Sequence, residues 1–430
     1  MKMREMKVYF LYVLTALLLA GTAAPLKAAA STQADPEKEA VSEQGAGGAL
    51  RTCRAVIGMQ AEKLAGEIAG RVQVLRGELG NPDWGSFMIS RSGRILRRSQ
   101  GKWVLPEEEK ESGEDFTIVF TGDVIFDRGQ NPGASRAWSD GIRACFDEDS
   151  WNTMQDADFL VVNNEFQYTD GGSPIPNKKF TFRCPPETAQ WLAEMGTDVA
   201  ALANNHIFDY GEEGLLDTFD TLDEIGIPYF GAGHDIEEAQ KPVYLIEDGV
   251  VVALLNATEI ERYENSDTRG AGEDTPGVFR CLDDTDLCDG VREAKKHADL
   301  CIVFVHWGTE LMPAAEESQI DKAQDLADAG ADLIVGAHPH ILQNISYENG
   351  VPVFYSLGNY FFSASTRDSG VLRVTVDPGE AAIKSLQFIP MQQRQGVVTL
   401  YDGEKERVLD TMRDLSPGVR IDEDGFFTEE

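Results

Sequence analysis

The 430-residue chain is short of basic charge, of histidine and of paired cysteines, and each shortage excludes something. Lysine and arginine number 38 against 73 aspartates and glutamates, for a formal net charge of −35. The deficit is uneven. Residues 1–104 are net +6, so the remaining 326 carry −41. A body that acidic repels nucleic acid and anionic membrane surfaces except through local basic patches or bound cations, so no nucleic-acid partner is expected. None of the six cysteines forms a C-x-x-C pair, which removes a cysteine zinc site. No cysteine precedes Cys53, which argues against a lipid-anchored mature N-terminus. No internal repeat is visible. Hydrophobic content of 42% and charged content of 26% are ordinary for a globular protein large enough for a sizeable core.

The N-terminus carries an address label. "MKMREMK" is a basic start, and the apolar run from Val8 to about Leu26 is followed by small residues, with Ala28 and Ala30 fitting a cleavage signal. Residues 1–30 therefore read as a signal peptide or membrane anchor, and an exported, cell-surface, membrane-anchored or secreted protein is expected. Residues 31–114 read as a linker or spacer. Within it Ile57, Leu64, Ile68 and Leu75 fall near helical spacing and predict a helix over 51–79. Residues 401–430 read as an acidic C-terminal tail. Cys281 and Cys288, close together in an acidic stretch, are the expected disulfide, and Cys301, inside "LCIVFVHWG", is an expected buried thiol.

Between 115 and 400 the pattern changes. Short apolar runs ("FTIVFTGDVIF", "ADFLVVNNEF", "DVAALANNH", "VVALLNATE", "DLCIVFVHWG", "ADLIVGAHPH", "VPVFYSLGN") alternate with helix-like stretches that tend to close on glycine. This alternation predicts an α/β domain, with antiparallel strands added by "VLRVTVD" and "IKSLQFIPM".

Ligands of open α/β sheets gather beyond the carboxyl ends of the strands. Four of the six histidines fall there. Asp123 follows "FTIVFTG"; Asn163, Asn164 and Glu165 follow "DFLVV"; Asn204, Asn205 and His206 follow "DVAALA"; His306 follows "LCIVFV"; His338 and His340 follow "DLIVGA". Taken singly each has a plain reading: Asp123 as a turn cap, Glu165 paired with Lys178 or Lys179 on the surface, the asparagines as turn residues, His306 as a half-buried histidine. Jointly they suit a divalent ion, because carboxylate, amide oxygen and imidazole together bind Mn²⁺, Zn²⁺ or Fe²⁺. One or two ions are expected, with Glu165 able to bridge a pair. If the backbone is extended at "HPH", residues two apart point the same way, and His338 and His340 face one site together.

Six stretches, "GDVIFDR", "NNE", "LANNHIFDYG", "HWGTE", "GAHPH" and "YSLGNYFF", resemble the capsule-synthesis protein CapA family, associated with poly-γ-glutamate and similar to the calcineurin-like metallophosphoesterases. The resemblance runs from about Phe116 to about Pro390. It implies a metallophosphoesterase-like four-layer α/β/β/α sandwich. It also implies a metal centre of Asp123, Glu165, Asn205, His306, His338 and His340, with His206 in the place of the histidine that acts on the phosphoryl oxygen or leaving group. Arg128 matches the basic residue closing the first motif, and Lys178, Lys179 and Arg183 are candidates for binding an anionic substrate. One departure is clear: the phosphoesterases carry Asp-x-His where Val124 and Ile125 follow Asp123 here. The implied function is synthesis or handling of an anionic capsule polymer or its precursor, by metal-assisted hydrolysis and alongside membrane-bound capsule machinery. The alternatives are a non-catalytic assembly or export factor with the same fold, or a phosphodiesterase on nucleotides or lipid-linked precursors.

Overall fold

The computed structural model describes residues 87–90, 98–99, 102–103, 113–260, 268–394, 397–399 and 404–430. These all fall within one compact unit, Asn81–Glu430. The segment 1–30, the helix expected over 51–79 and Cys53 lie outside the described residues. No described helix is long and apolar enough to cross a membrane.

The strands used below are, in chain order, β1 (Phe87–Ser90), β2 (Phe116–Val124), β3 (Phe159–Asn164), β4 (Val199–Ala201) and β5 (Tyr229–Phe230). They continue with β6 (Val243–Glu247), β7 (Val250–Thr258), β8 (Leu300–His306), β9 (Leu333–Ala337) and β10 (Ile345–Glu348). The last are β11 (Val351–Phe354), β12 (Asn359–Phe361), β13 (Arg367–Asp377), β14 (Ala382–Arg394) and β15 (Val397–Thr399). One sheet has the order β1-β6-β7-β8-β9-β11-β10, the other β15-β14-β13-β2-β3-β4-β5, with β12 paired to β2. Each contains a parallel run, β7-β8-β9-β11 within the first and β2-β3-β4-β5 reaching the edge of the second. β13 runs antiparallel to both β2 and β14, as the alternating tail strands predict.

Alternation of side chains along each strand explains the layering. Phe116, Ile118 and Phe120 of β2 share one buried cluster with Ile302 and Phe304 of β8 and Leu333 and Val335 of β9, so the two sheets pack face to face. The intervening residues point the other way. Val119, Leu160 and Val162 meet α1 (Pro132–Asp140), α2 (Glu148–Gln155), α3 (Gln190–Met195) and α4 (Gly211–Ile225) through Ala134, Met154, Leu192 and Phe219. Cys301, Val303 and Ile334 meet α5 (Thr285–Ala294) and α6 (Glu317–Ala329) through Leu287, Val291 and Leu326. The result is helices, sheet, sheet, helices. Strands buried on both faces read as continuous apolar runs, which is why they were legible in the sequence.

Three expectations need correcting. Phe87–Ser90, inside the expected spacer, is an edge strand parallel to β6 with Ile89 buried in the inter-sheet core. Its few residues pair through backbone, which leaves little pattern to read. The expected acidic tail folds as α7 (Glu404–Leu415) and a hairpin of Val419–Ile421 with Phe427–Glu429. Val408, Leu409, Met412, Ile421 and Phe427 enter the same core, while the acidic residues stay on the outer face. No disulfide forms among the described residues: Cys145, Cys184, Cys281, Cys288 and Cys301 are buried thiols. Cys288 faces the core from α5 rather than a loop, and Cys281 is pinned by its N–H to the Thr258 carbonyl at 2.8 Å. Cys301 is a buried thiol as expected, and burial pushes its pKa up to about 12.

Candidate metal centre

β2, β3, β4, β8 and β9 each carry a predicted site residue at or just beyond the carboxyl end, and the candidate site lies at those ends. Two close backbone approaches set its geometry. A Cβ at Gly122 would lie 1.8 Å from the Gly358 carbonyl oxygen, and one at Gly336 would lie 2.0 Å from that of Tyr355. Only glycine admits such contacts. They let β12 lie against β2 beside Asp123 and bring Tyr355 against β9 just before His338.

Asp123 sits within β2, not in a turn cap, and is fully buried. Its Oδ1 accepts from Asn163 Nδ2 at 2.8 Å, and its Oδ2 lies 2.9 Å from His340 Nδ1. His306, the last residue of β8, places Nε2 2.9 Å from Asn205 Oδ1, 3.1 Å from His338 Nδ1 and 3.6 Å from Glu165 Oε1. The fold thus brings together all six residues that the resemblance assigns to a metal centre. Two overlapping groups have donor atoms spaced to hold an ion, Asp123–Glu165–His306 and Glu165–His338–His340, with Glu165 common to both.

The premise about His338 and His340 was wrong, although both reach the site. β9 ends at Ala337, and the two histidines take positive φ of 99° and 60° around Pro339. A tight turn, not an extended segment, points them inward. Such backbone is costly for a side-chain-bearing residue and clusters at functional sites.

Glu165 tests whether a cation suits these residues. The plain alternative, a surface pair with Lys178 or Lys179, is not made; Glu165 is fully buried. Neither carboxylate oxygen meets an N–H or hydroxyl within hydrogen-bond reach among the described residues. Burial first, and then the neighbouring Asp123 carboxylate, raise its pKa well above the ordinary range. Burial and the surrounding histidines hold His306 well below the usual imidazole pKa. For His340, burial acts downward but the Asp123 hydrogen bond and charge outweigh it, and the pKa is raised. Two buried carboxylates without enough donors, beside three imidazoles, are the donor set a divalent ion satisfies. The residues fit.

His206 makes contacts of its own beside this cluster. Its Nδ1 is 2.7 Å from Asp209 Oδ2, and Phe182 stacks on the ring at 4.0 Å between centroids. Asp209 also accepts from the Phe182 N–H at 2.6 Å and pairs through Oδ1 with Lys178 Nζ at 2.6 Å. Lys178 also donates to the Asn205 carbonyl. Of the four expected substrate-binding residues, Lys178 is therefore the one tied directly to the site. Arg183 lies 4.4 Å over the Tyr210 ring and donates to the Gly171 carbonyl. Arg128 is exposed over Trp138, and Lys179 is exposed over Phe180. Val124 and Ile125, where an imidazole was the alternative, are buried in the apolar cluster behind β2.

Sequence reasoning assigned no role to Asp209 or Asn359, and placed Asn163 only among the polar residues at the strand ends. Asp209 carried a signal, three residues after His206 in "NNHIFD". Asn359 carried a fainter one, as the polar residue ending "VPVFYSLGN".

Fold and site together define the class: a two-sheet α/β protein with a candidate metal centre at the carboxyl ends of its parallel strands. A family model for bacterial capsule synthesis protein PGA_cap matches residues 117–364, and the chain belongs to that family. It is 31% identical over 278 residues to the PGA biosynthesis protein CapA of Bacillus subtilis, covering 64% of this chain and 71% of the relative. Against the capsule biosynthesis protein CapA of Bacillus anthracis it is 30% identical over 305 residues, 68% and 71% of the two chains. A solved structure of a novel phosphatase from Mycoplasma pneumoniae is similar at a TM-score of 0.41 and 12% identity, covering 65% of this chain and 95% of that one.

Proposed function

We infer that this chain acts in the synthesis or handling of an anionic capsule polymer of the poly-γ-glutamate type, as an exported, metal-assisted hydrolase with a metallophosphoesterase-like sandwich. Family membership and the names of the two Bacillus relatives support the capsule role. The basic and apolar N-terminal residues support export. The observation that carries the catalytic reading is His206, held at Nδ1 by Asp209 beside a cluster of buried carboxylates and imidazoles.

Asp123, Glu165, Asn205, His306, His338 and His340 would hold the ion or ions. A divalent cation supplies Lewis-acid polarisation and neutralises negative charge when bound. The protein's own groups do the rest. With Nδ1 committed to Asp209, His206 handles a proton at Nε2. Lys178 counters the charge of Asp209 and pins the Asn205 carbonyl, so the adjacent ligand and proton carrier are held by one contact set. Phe182 covers one face of the imidazole and keeps water from it.

The test is turnover by protein loaded with Mn²⁺ or Zn²⁺ on model phosphodiesters and on γ-glutamyl polymer. Metal-dependent hydrolysis of either is expected. Inertness on every substrate would instead favour the assembly or export factor, the reading that apolar Ile125 at the position of an imidazole supports.

A further inference from the structure

The Asp123 side of the centre lacks the imidazole that Ile125 does not supply, yet it holds a further donor. Asn359 is the first residue of β12, 2% exposed, and is paired in register with Asp123 itself. The Asp123 N–H donates to the Gly358 carbonyl at 3.0 Å, and Ile125 N–H donates to Phe361 at 2.8 Å, so the backbone fixes Asn359 beside the carboxylate. Its Oδ1 lies 2.8 Å from His340 Nδ1, the same nitrogen that lies 2.9 Å from Asp123 Oδ2. One ring nitrogen carries at most one proton, and an N–H directs it along one line. Here the Asp123 carboxylate oxygen and the Asn359 amide oxygen both approach one His340 nitrogen, which assigns these three donors together although each of the two spaced groups above joins only one of Asp123 and His340 with Glu165.

We propose that Asn359 is a metal ligand, completing with Asp123, Glu165 and His340 an oxygen-rich subsite that prefers Mn²⁺ or Mg²⁺ to Zn²⁺. The subsite has three oxygen-bearing side chains and one imidazole. The other half of the centre has two imidazoles, His306 and His338, with Asn205 and Glu165. Carboxylate and amide oxygens suit the harder ions, and imidazole suits zinc, so the two halves differ in selectivity. The proposal rests on the metal reading above but not on hydrolysis.

The experiment is Mn²⁺ binding to chelator-stripped full-length protein, followed by titration calorimetry, elemental analysis and electron paramagnetic resonance. Wild type is expected to take two ions that couple magnetically. Asn359→Ala should keep one ion, show an uncoupled signal and bind the second at least 10-fold more weakly. Asn359→Asp retains an oxygen at the same place and should keep both, which separates a lost ligand from a damaged strand pairing. Zn²⁺ competition should displace Mn²⁺ from one half of the wild-type centre first. Two coupled ions at unchanged affinity in Asn359→Ala would overturn the proposal and leave His340 merely sharing a hydrogen bond between two acceptors. Loss of both ions in Asn359→Ala and Asn359→Asp alike would also overturn it. Wild-type protein that binds no divalent ion would defeat the metal reading itself.

Discussion

Asn205 and His206 are neighbours with different proposed duties, and their side chains separate them physically. Asn205 Oδ1 faces His306, whereas the His206 ring turns to Asp209 and Phe182. His206→Ala is therefore expected to leave bound metal nearly unchanged while lowering turnover roughly 10²–10⁴-fold, the usual worth of proton transfer by a positioned side chain. His340→Ala should lose metal and activity together. Paired metal analysis and hydrolysis on both variants checks this, and metal lost from His206→Ala would reverse the assignment. Glu165 gives a second prediction at this scale. Its folded pKa lies above the ordinary 4.5, so the stability it contributes is fully present below that value and lost as pH rises through the folded pKa. Glu165→Gln removes the buried charge. In chelator, the variant should melt above wild type, by a margin that opens as pH climbs. With divalent ion the order should invert, because a carboxylate that would hold the ion is gone. Equal melting curves in chelator would show that the carboxylate is already satisfied.

Elements, rather than single residues, decide where the domain begins. The apolar alternation from Phe116 onward points to a boundary near residue 115, yet β1 lies before it and covers the outer edge of β6. A chain beginning at Glu114 would expose that edge, with its unpaired backbone groups, and would lose the buried Ile89. Denaturant melts should place it below a chain beginning at Asn81 by about 2–4 kcal/mol, the range for losing a large buried aliphatic side chain. It should also be more prone to aggregate. Equal stability would mean that β1 adds nothing to the fold. The glycine-capped helices show the opposite case, in which local chemistry sufficed. α3, α4 and α6 end at Gly196, Gly226 and Gly330, all with positive φ, because a left-handed residue closes the last turn at no steric cost.

The whole molecule combines a net charge of −35 with two carboxylates buried at its functional edge. Divalent cations relieve the second problem directly, so ion binding should be linked to folding. An ion at about 100 times its dissociation constant stabilises the native state by about 2.7 kcal/mol per site. Thermal melts should therefore rise on adding Mn²⁺ and fall on adding chelator, and the shift should vanish in His338→Ala. A melting point indifferent to divalent ions would count against a metal centre. High salt screens the surface charges but reaches the buried pair poorly, so salt alone should not reproduce the effect.

The α/β class, the strand runs between 116 and 361 and the six clustered polar residues were all readable in the sequence. Doubly buried strands show as unbroken apolar runs, and polar residues at their ends interrupt them visibly. What only the tertiary structure decided involves contacts between distant segments. The pairing that sets Asn359 beside Asp123 and the ion pair of Lys178 with Asp209 each join residues 30 or more apart in the chain, and the turn that aims His338 and His340 is held by the Leu311 N–H donating to the Pro339 carbonyl. Placement of β1 and α7 in the core is of the same kind. Local sequence states a residue's propensity and chemistry. Which partners it meets is settled by sheet order and register, and these are properties of the folded chain.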